Sequence, residues 1–562
     1  MSRIRFALAQ INPVVGDIAG NSALIRDAVR DAANAHASVV AFPEMALTGY
    51  PIEDLAYSPD FVDQSQDGVR DLAAQLRADG FGDIAVVVGF VRRAKNPSFG
   101  GAIAHNSLAV LFDGQVHSTY DKLHLPNYSV FDEQRVFVPG RSPFALVIGG
   151  VKVGFLICED LWRDRGPVET LAEQGLDAVV VINASPFDRT KDENRFPLLS
   201  RRAVQFNAPV AYVNMFGGQD DLVFDGDSAV VDSRGTVVAR APRFEPATLF
   251  YDVIGTSGGS GLAVRERNNL NMLAPAIAED NDELEDIWSA LVLGVRDYVE
   301  KNRFPSVTLG LSGGIDSAVC AVLAADAIGA ERVFGVSMPS QWSSDHSKGD
   351  AADLAKRIGC HYSVEPIGAL VAPFESQLAL TGLAAENIQA RARGMILMAL
   401  SNKDGHLVLT TGNKTEVAVG YCTMYGDTVG GYAPLKDVPK TLVWQLAEWR
   451  NERARSRGEV PPIPENSISK PPSAELRPGQ VDQDSLPPYD VLDAILERLI
   501  DQRESIEKIV DAGFDAATVQ RIAHLVSISE WKRRQGAIGP RITRMAFGRE
   551  RRLPITVRRT NL

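Results

Sequence analysis

Cysteine is scarce in this chain. Its 562 residues include four, Cys158, Cys320, Cys360 and Cys422, with no pair at a close metal-binding spacing. In so long a chain that excludes a disulfide framework and points to a reducing, cytoplasmic setting. Long apolar runs are missing too, so no membrane span is expected. No cationic, apolar leader opens the sequence, because Arg3-Ile4-Arg5-Phe6-Ala7-Leu8-Ala9 reads as a first strand. Positive charge is in deficit, with 58 Lys and Arg against 71 Asp and Glu and a net charge of -13. That balance excludes a general nucleic-acid or anionic-membrane surface. The basic tail (Arg541, Arg544, Arg549, Arg551, Arg552, Arg558 and Arg559) lacks the interleaved aromatics of a stacking surface, so no nucleic-acid partner is expected.

What remains is an ordinary globular composition, 45% hydrophobic and 23% charged, on a chain too long for one core. The segment that organises it is Ser312-Gly313-Gly314-Ile315-Asp316-Ser317. A short apolar strand at 306–311 precedes it, and the apolar run 318–325 after it reads as a buried helix. Adjacent glycines at a strand-to-helix turn let the backbone approach a bound group, and a helix N-terminus offers free N–H donors to an anion. Asp316 beside phosphates suits Mg²⁺, which takes one or two carboxylates plus phosphate oxygens. The string has no Lys after its glycines, and it resembles the pyrophosphate loop of the ATP pyrophosphatase family. That resemblance implies ATP split to AMP and pyrophosphate in order to adenylate a substrate.

Residues 1–255 alternate apolar strands with helical patterns, as in a layered α/β domain. The strand candidates are 4–10, 39–42, 84–90, 107–112, 152–157, 178–183 and 209–214, followed by a hairpin of 229–232 with 236–239 around Ser233-Arg234-Gly235. Three strand ends carry chemistry: Glu44 after Phe42-Pro43, Lys122 in Tyr120-Asp121-Lys122-Leu123-His124, and Cys158 in Ile157-Cys158-Glu159-Asp160. Taken singly, each has an ordinary reading as helix cap, surface charge or core thiol. Together they meet the needs of amide hydrolysis through a thioester. A thiolate attacks, an ammonium steadies the oxyanion, and a carboxylate takes and returns the proton.

This half resembles the carbon–nitrogen hydrolase (nitrilase) superfamily, which implies an α/β/β/α sandwich with Glu44 as general base, Lys122 as transition-state stabiliser, Cys158 as nucleophile and Glu133 as supporting carboxylate. The string 125–133 is similar to the glutaminase branch fused to NAD synthetases. That likeness implies that Tyr128, Ser185 and Lys191 bind glutamine.

A Gly/Ser-rich and then acidic stretch, 256–282, reads as a linker, leaving 283–562 as the second domain. Apolar spacing predicts a helix over 283–301, and 306–338 reads as a strand, phosphate loop, helix and strand, a βαβ unit of a Rossmann-like, doubly wound parallel sheet. Its ligand belongs across the C-terminal strand ends. A helix opens near Glu386, with Asn387, Arg391 and Arg393 free to face either solvent or substrate. Thr411 and Glu416 follow a further strand, Thr411 as a nucleotide contact and Glu416 as a second Mg²⁺ carboxylate opposite Asp316. Residues 460–490 read as a long loop over the site.

With the strings 425–440, 470–476 and 530–535, the whole second half is similar to NAD synthetases. The resemblance implies that Asn387, Glu416, Asp427 and Lys532 contact deamido-NAD, that Lys440 contacts the ATP phosphates, and that a homo-oligomer and an ammonia tunnel exist. The implied activity is glutamine-dependent amidation of deamido-NAD with ATP and Mg²⁺. Two other readings stay open on the sequence. One is another ATP-pyrophosphatase amidotransferase acting on a purine nucleotide or an acidic amino acid; the other is a binding protein whose hydrolase half is inert.

Overall fold

The computed structural model describes residues 2–97, 100–190, 192–256, 261–265, 273 and 276–557. Two compact units emerge. One comprises Met1–Gln219 with Val223–Asn281, and the other Asp220–Leu222 with Asp282–Leu562.

The first unit is built on two six-stranded sheets. One runs Ala247–Gly255, Ser2–Gln10, Val39–Ala41, Ala85–Arg93, Ala104–Phe112, Gln115–Asp121, and the other Val237–Arg240, Ala229–Val231, Val210–Asn214, Ala178–Asn183, Val151–Ile157, Phe144–Ile148. The inner strands pair parallel, and the outer ones antiparallel. Strand alternation decides the layering, because successive side chains leave opposite faces. Ile4, Phe6 and Leu8 meet Phe155, Ile157 and Val180 in a core between the sheets. Ala7 and Ala9 turn the other way, to Ile25 and Val29 of helix Ile18–Asn34 and Leu72 and Leu76 of helix Pro59–Ala78. On the second sheet Val179 and Val181 face Leu198, Leu199 and Phe206 of helix Asp192–Phe206. The result is the expected α/β/β/α sandwich. Each fully buried Val, Leu, Ile or Phe contributes about 1.5–3 kcal/mol relative to exposure.

The second unit contains a wholly parallel sheet in the order His361–Val364, Val333–Ser337, Val307–Gly310, Leu407–Val408. From Val307–Gly310 the chain moves one way for two strands and then crosses to the opposite side. This reversal leaves a crevice at the C-terminal ends of Val307–Gly310 and Leu407–Val408, where ligands of open α/β sheets bind. Helix Ile315–Ile328, apolar apart from Asp316, Ser317 and Asp326, is largely buried and includes Cys320. Helix Glu283–Lys301 begins on Asp282, whose side chain accepts the N–H of Glu285. A separate helical core joins Lys414–Val419, Tyr489–Leu496 and Ala516–Ile528.

The expected loop at 460–490 contains two short helical turns, Glu465–Ser469 and Asp482–Asp484. Three arginines of the basic tail are paired among the described residues: Arg541 meets Glu550, Arg549 meets Asp221 and Arg551 meets Glu530. Lys191, Arg558, Arg559 and, apart from Leu273, the Asn-rich insert at 268–275 lie outside the described residues. Among the described residues no helix is long and apolar enough to cross a membrane.

Candidate active sites

In the first unit Glu44, Lys122 and Cys158 converge because the strands that deliver them end at one edge of the facing sheets. Cys158 directly follows Val151–Ile157 and holds φ at +44°, ψ at −101°. A non-glycine residue seldom adopts that conformation, and here it sets the thiol at the sharp turn before the short helix Glu159–Trp162. Lys122, immediately after Gln115–Asp121, is 1% exposed. Its Nζ donates to Glu44 Oε1 at 2.7 Å and to Glu133 Oε1 at 2.9 Å. Glu44, fully buried, also accepts Asn106 Nδ2 at 2.6 Å and the Ala184 N–H at 3.0 Å. Glu133 accepts the Tyr50 hydroxyl at 2.9 Å.

One ammonium thus sits between two buried carboxylates. Burial pushes Glu133 up to about 7, against the opposing pull of Lys122. Burial works to lower Lys122, yet Glu133 and Glu44 outweigh it and hold the ammonium well above its usual range. The Cys158 thiol is pushed up by burial and by Glu44, while Lys122 draws it back down. A protonated thiol that meets its base and its counter-cation in one dry site is poised for attack coupled to proton transfer. Beside it, the Tyr128 hydroxyl donates to Glu159 Oε2 at 2.7 Å, and the Ser185 N–H donates to Asn214 Oδ1 at 2.9 Å.

In the second unit a cavity of 310 Å³ lies in the crevice between the sheet's strand ends. Its floor is the glycine turn. Gly313 has φ +78°, and a Cβ there would stand 2.3 Å from the Ser347 carbonyl oxygen, so only glycine fits. Gly314 opens helix Ile315–Ile328 with no side-chain cap bond, its own N–H donates to Ser312 Oγ at 3.1 Å, and the helix N-terminus faces the cavity, where its dipole suits an anion. Ser467 Oγ supports the turn by donating to the Gly313 carbonyl at 3.1 Å.

Asp316, Glu416, Thr411, Asp427, Lys440 and Arg393 line the same cavity. Lys440 Nζ pairs with Asp316 and lies 5.4 Å and 5.6 Å from the ring centres of Trp444 and Tyr489. Asn413 Nδ2 donates to Asp316 Oδ1 at 2.9 Å, and Asn413 forms a capping box with Glu416. Burial and the Asp316 charge push Glu416 up to about 8. A cradle for phosphates flanked by two carboxylates and a lysine is suited to a nucleoside triphosphate.

The carbon–nitrogen hydrolase family profile matches residues 5–255, and the NAD synthase profile matches residues 287–536. Over 561 residues the chain is 43% identical to the glutamine-dependent NAD(+) synthetase of Acinetobacter baylyi, spanning 99% of this chain and 98% of that one. The chain belongs to the glutamine-dependent NAD(+) synthetase family. The Rhodobacter capsulatus synthetase is 45% identical over 565 residues, with 99% of each chain covered. Among solved structures, the glutamine-dependent NAD(+) synthetase of Acinetobacter baumannii in complex with adenosine diphosphate shares 41% identity at a TM-score of 0.73, with 98% of each chain covered. A Cytophaga hutchinsonii enzyme of the same name shares the fold at a TM-score of 0.81 and 23% identity, covering 99% of this chain and 98% of that one.

In this NAD(+) synthetase family member the expected residues fall into three groups. Glu44, Lys122, Glu133 and Cys158 form one cluster, with Tyr128 and Ser185 nearby; Ser312, Gly314, Ile315, Asp316, Ser317, Thr411, Glu416, Asp427 and Lys440 line the cavity, with Gly313 beneath it. Asn387 and Lys532 stand outside its wall. Asn387 Oδ1 accepts the hydroxyl of Thr423, a lining residue, at 2.9 Å, and Lys532 Nζ donates to the Gly420 and Cys422 carbonyls at 2.8 Å while its charge acts on Asp427.

Sequence reasoning missed Tyr50, Asn106 and Asn413. Asn106 had a weak signal, a polar triplet of His105, Asn106 and Ser107 leading into an apolar run. So did Asn413, an N-cap three residues before a Glu. Tyr50, in a turn, had none.

Proposed function

We propose that the two sites run the two halves of one amidation. In the first, the Cys158 sulfur attacks the side-chain amide carbon of glutamine as Glu44 takes the thiol proton. Lys122 steadies the oxyanion, and Glu44 returns the proton to the departing nitrogen, so ammonia leaves and a glutamyl thioester remains. Water, deprotonated by Glu44, then opens the thioester to give glutamate and the free thiol. Glu133 and Tyr50 hold Lys122 in place, while Tyr128 and Ser185 grip the substrate. Lys191 is assigned to the same grip by resemblance alone.

In the second site, residues 312–317 cradle the phosphates of ATP. The nicotinate carboxylate of deamido-NAD attacks the α-phosphorus, pyrophosphate leaves, and ammonia then displaces AMP to form the amide of NAD. Lys440 and the helix N-terminus meet the phosphate charge, with Thr411 on the nucleotide and Asn387, Glu416, Asp427 and Lys532 on the dinucleotide. Asp316 and Glu416, hard oxygen donors on one cavity wall, fit Mg²⁺ and would hold it, and when bound it would neutralise phosphate charge.

The observation that carries this reading is the buried Glu44–Lys122–Glu133 cluster at the Cys158 turn, in a family member that also bears the phosphate cradle. Amidotransferases for purine nucleotides or acidic amino acids are not favoured, since the family likeness runs the whole length of the chain. The test is NAD formation from deamido-NAD, ATP and Mg²⁺, driven by glutamine or by ammonium salt. Cys158→Ala loses the first and keeps the second; a native chain that makes NAD from neither donor overturns the reading.

A further inference from the structure

Asp160 is fully buried two residues beyond Cys158. The proposed glutamine hydrolysis gives it nothing to do. Yet its carboxylate gathers donors from both catalytic segments. Oδ1 accepts the backbone N–H of Leu123 at 3.1 Å and of His124 at 2.8 Å, the two residues directly after Lys122. Oδ2 accepts the hydroxyl of Tyr120, two residues before Lys122, at 2.7 Å, and the N–H of Ile157, directly before Cys158, at 3.3 Å. Lys122 is therefore bracketed on both sides by donors to one carboxylate, and that carboxylate grows from the turn bearing the thiol.

Among the described residues no β-ladder performs this task. Gln115–Asp121 ends one sheet, whereas Val151–Ile157 lies in the other. Two sheets packed face to face on apolar side chains have no hydrogen-bonded register between them, so a polar tie is what fixes one strand end against the other.

Resting on the reading of Cys158 as nucleophile, we propose that Asp160 is a positioning residue that sets the distance between the Lys122 ammonium and the Cys158 sulfur. An ammonium near a thiol favours the thiolate, so losing the tie raises the pH at which the thiol reacts. Asp160→Asn keeps the volume but replaces one acceptor by an NH₂ group, which cannot accept from the peptide N–H groups.

The experiment follows iodoacetamide alkylation of the Cys158 peptide by mass spectrometry as a function of pH, in the full chain, beside glutamine hydrolysis and ammonium-driven NAD formation. For Asp160→Asn the alkylation midpoint rises by about one pH unit or more. The kcat for glutamine falls about 10²-fold, the scale of a misplacement near 1 Å, with KM little changed. Ammonium-driven NAD formation stays at the native rate. Tyr120→Phe, which deletes one donor and keeps the packed ring, shifts the midpoint the same way by less.

A native alkylation profile and kcat in these variants overturns the proposal, as does a rise in KM alone. If Asp160→Asn does not fold, Tyr120→Phe decides by itself, and an unmoved midpoint overturns it. Glutamine hydrolysis that survives Cys158→Ala refutes the nucleophile assignment instead, which separates the two failures.

Discussion

Replacing Gly313 by alanine tests the phosphate cradle with a single methyl group. The added Cβ would lie 2.3 Å from the Ser347 carbonyl oxygen, so one of the two backbones must retreat by about 0.7 Å to reach the 3.0 Å limit that real Cβ contacts respect. The residue must also keep φ near +78°, which costs a side chain about 1–2 kcal/mol. Neither charge nor any hydrogen-bonding group is removed. The expected loss is geometric: a turn displaced on the scale of 1 Å lowers the rate about 10²-fold. The assay is pyrophosphate release and NAD formation with ammonium salt as the nitrogen source, which bypasses the first site. Both fall together, while iodoacetamide alkylation of Cys158 follows its native pH profile. Native NAD formation by Gly313→Ala would refute the claim that close backbone approach at this turn matters.

Lys122→Met strands two buried carboxylates, and removing one partner of a buried pair costs about 3–5 kcal/mol; urea denaturation measures the loss, and the variant hydrolyses no glutamine. Glu133 supplies a pH test. Its folded pKa, about 7, lies above that of an unfolded glutamate, so the folded state keeps its proton longer. Its contribution to stability is therefore full below about pH 4.3 and is lost as pH rises toward 7, by at most about 1.4 kcal/mol per unit, and Glu133→Gln removes that part of the slope in denaturation midpoints taken across the range. Asn413→Ala deletes both the cap of helix Lys414–Val419 and a hydrogen bond to Asp316. A loss of about 1 kcal/mol in thermal melts and slower NAD formation from either nitrogen donor are expected.

Where local chemistry dictated structure, the sequence was readable. Helix Glu283–Lys301 runs between the two residues that its apolar spacing predicts, because Asp282 caps one end and an amphipathic face fills the rest. The strands that end in Glu44 and Cys158 are short apolar runs with unambiguous neighbours.

Strand Gln115–Asp121 was missed, since its alternating exposure and polar residues look like a loop until it pairs with Ala104–Phe112. Its one local cue is Asp113-Gly114, both at positive φ, a hairpin turn. Phe144–Ile148 was missed likewise, although Gly149-Gly150, again both at positive φ, joins it to Val151–Ile157. Ala247–Gly255 could not be placed because its partner is the far end of the unit. In the sites, chemistry-bearing residues at strand ends stood out. The side chains that orient them did not: Tyr50 reaches Glu133 across 83 residues of chain, a distance that no local pattern encodes.

The pairing of Ser2–Gln10 with Ala247–Gly255 has a consequence for how the protein is made. All nine residues of the first strand find register partners in the last strand of the unit. Translation delivers that partner roughly 245 residues later, which at about 5–20 residues per second means roughly 12–50 s during which one margin of the nascent sheet has no neighbour. A strand carrying Phe6 and Leu8 with an unpaired edge is a template for intermolecular pairing. The ribosome-bound intermediate thus exposes a strand edge that the finished unit covers, and slowing elongation before residue 247 is expected to lower the soluble yield.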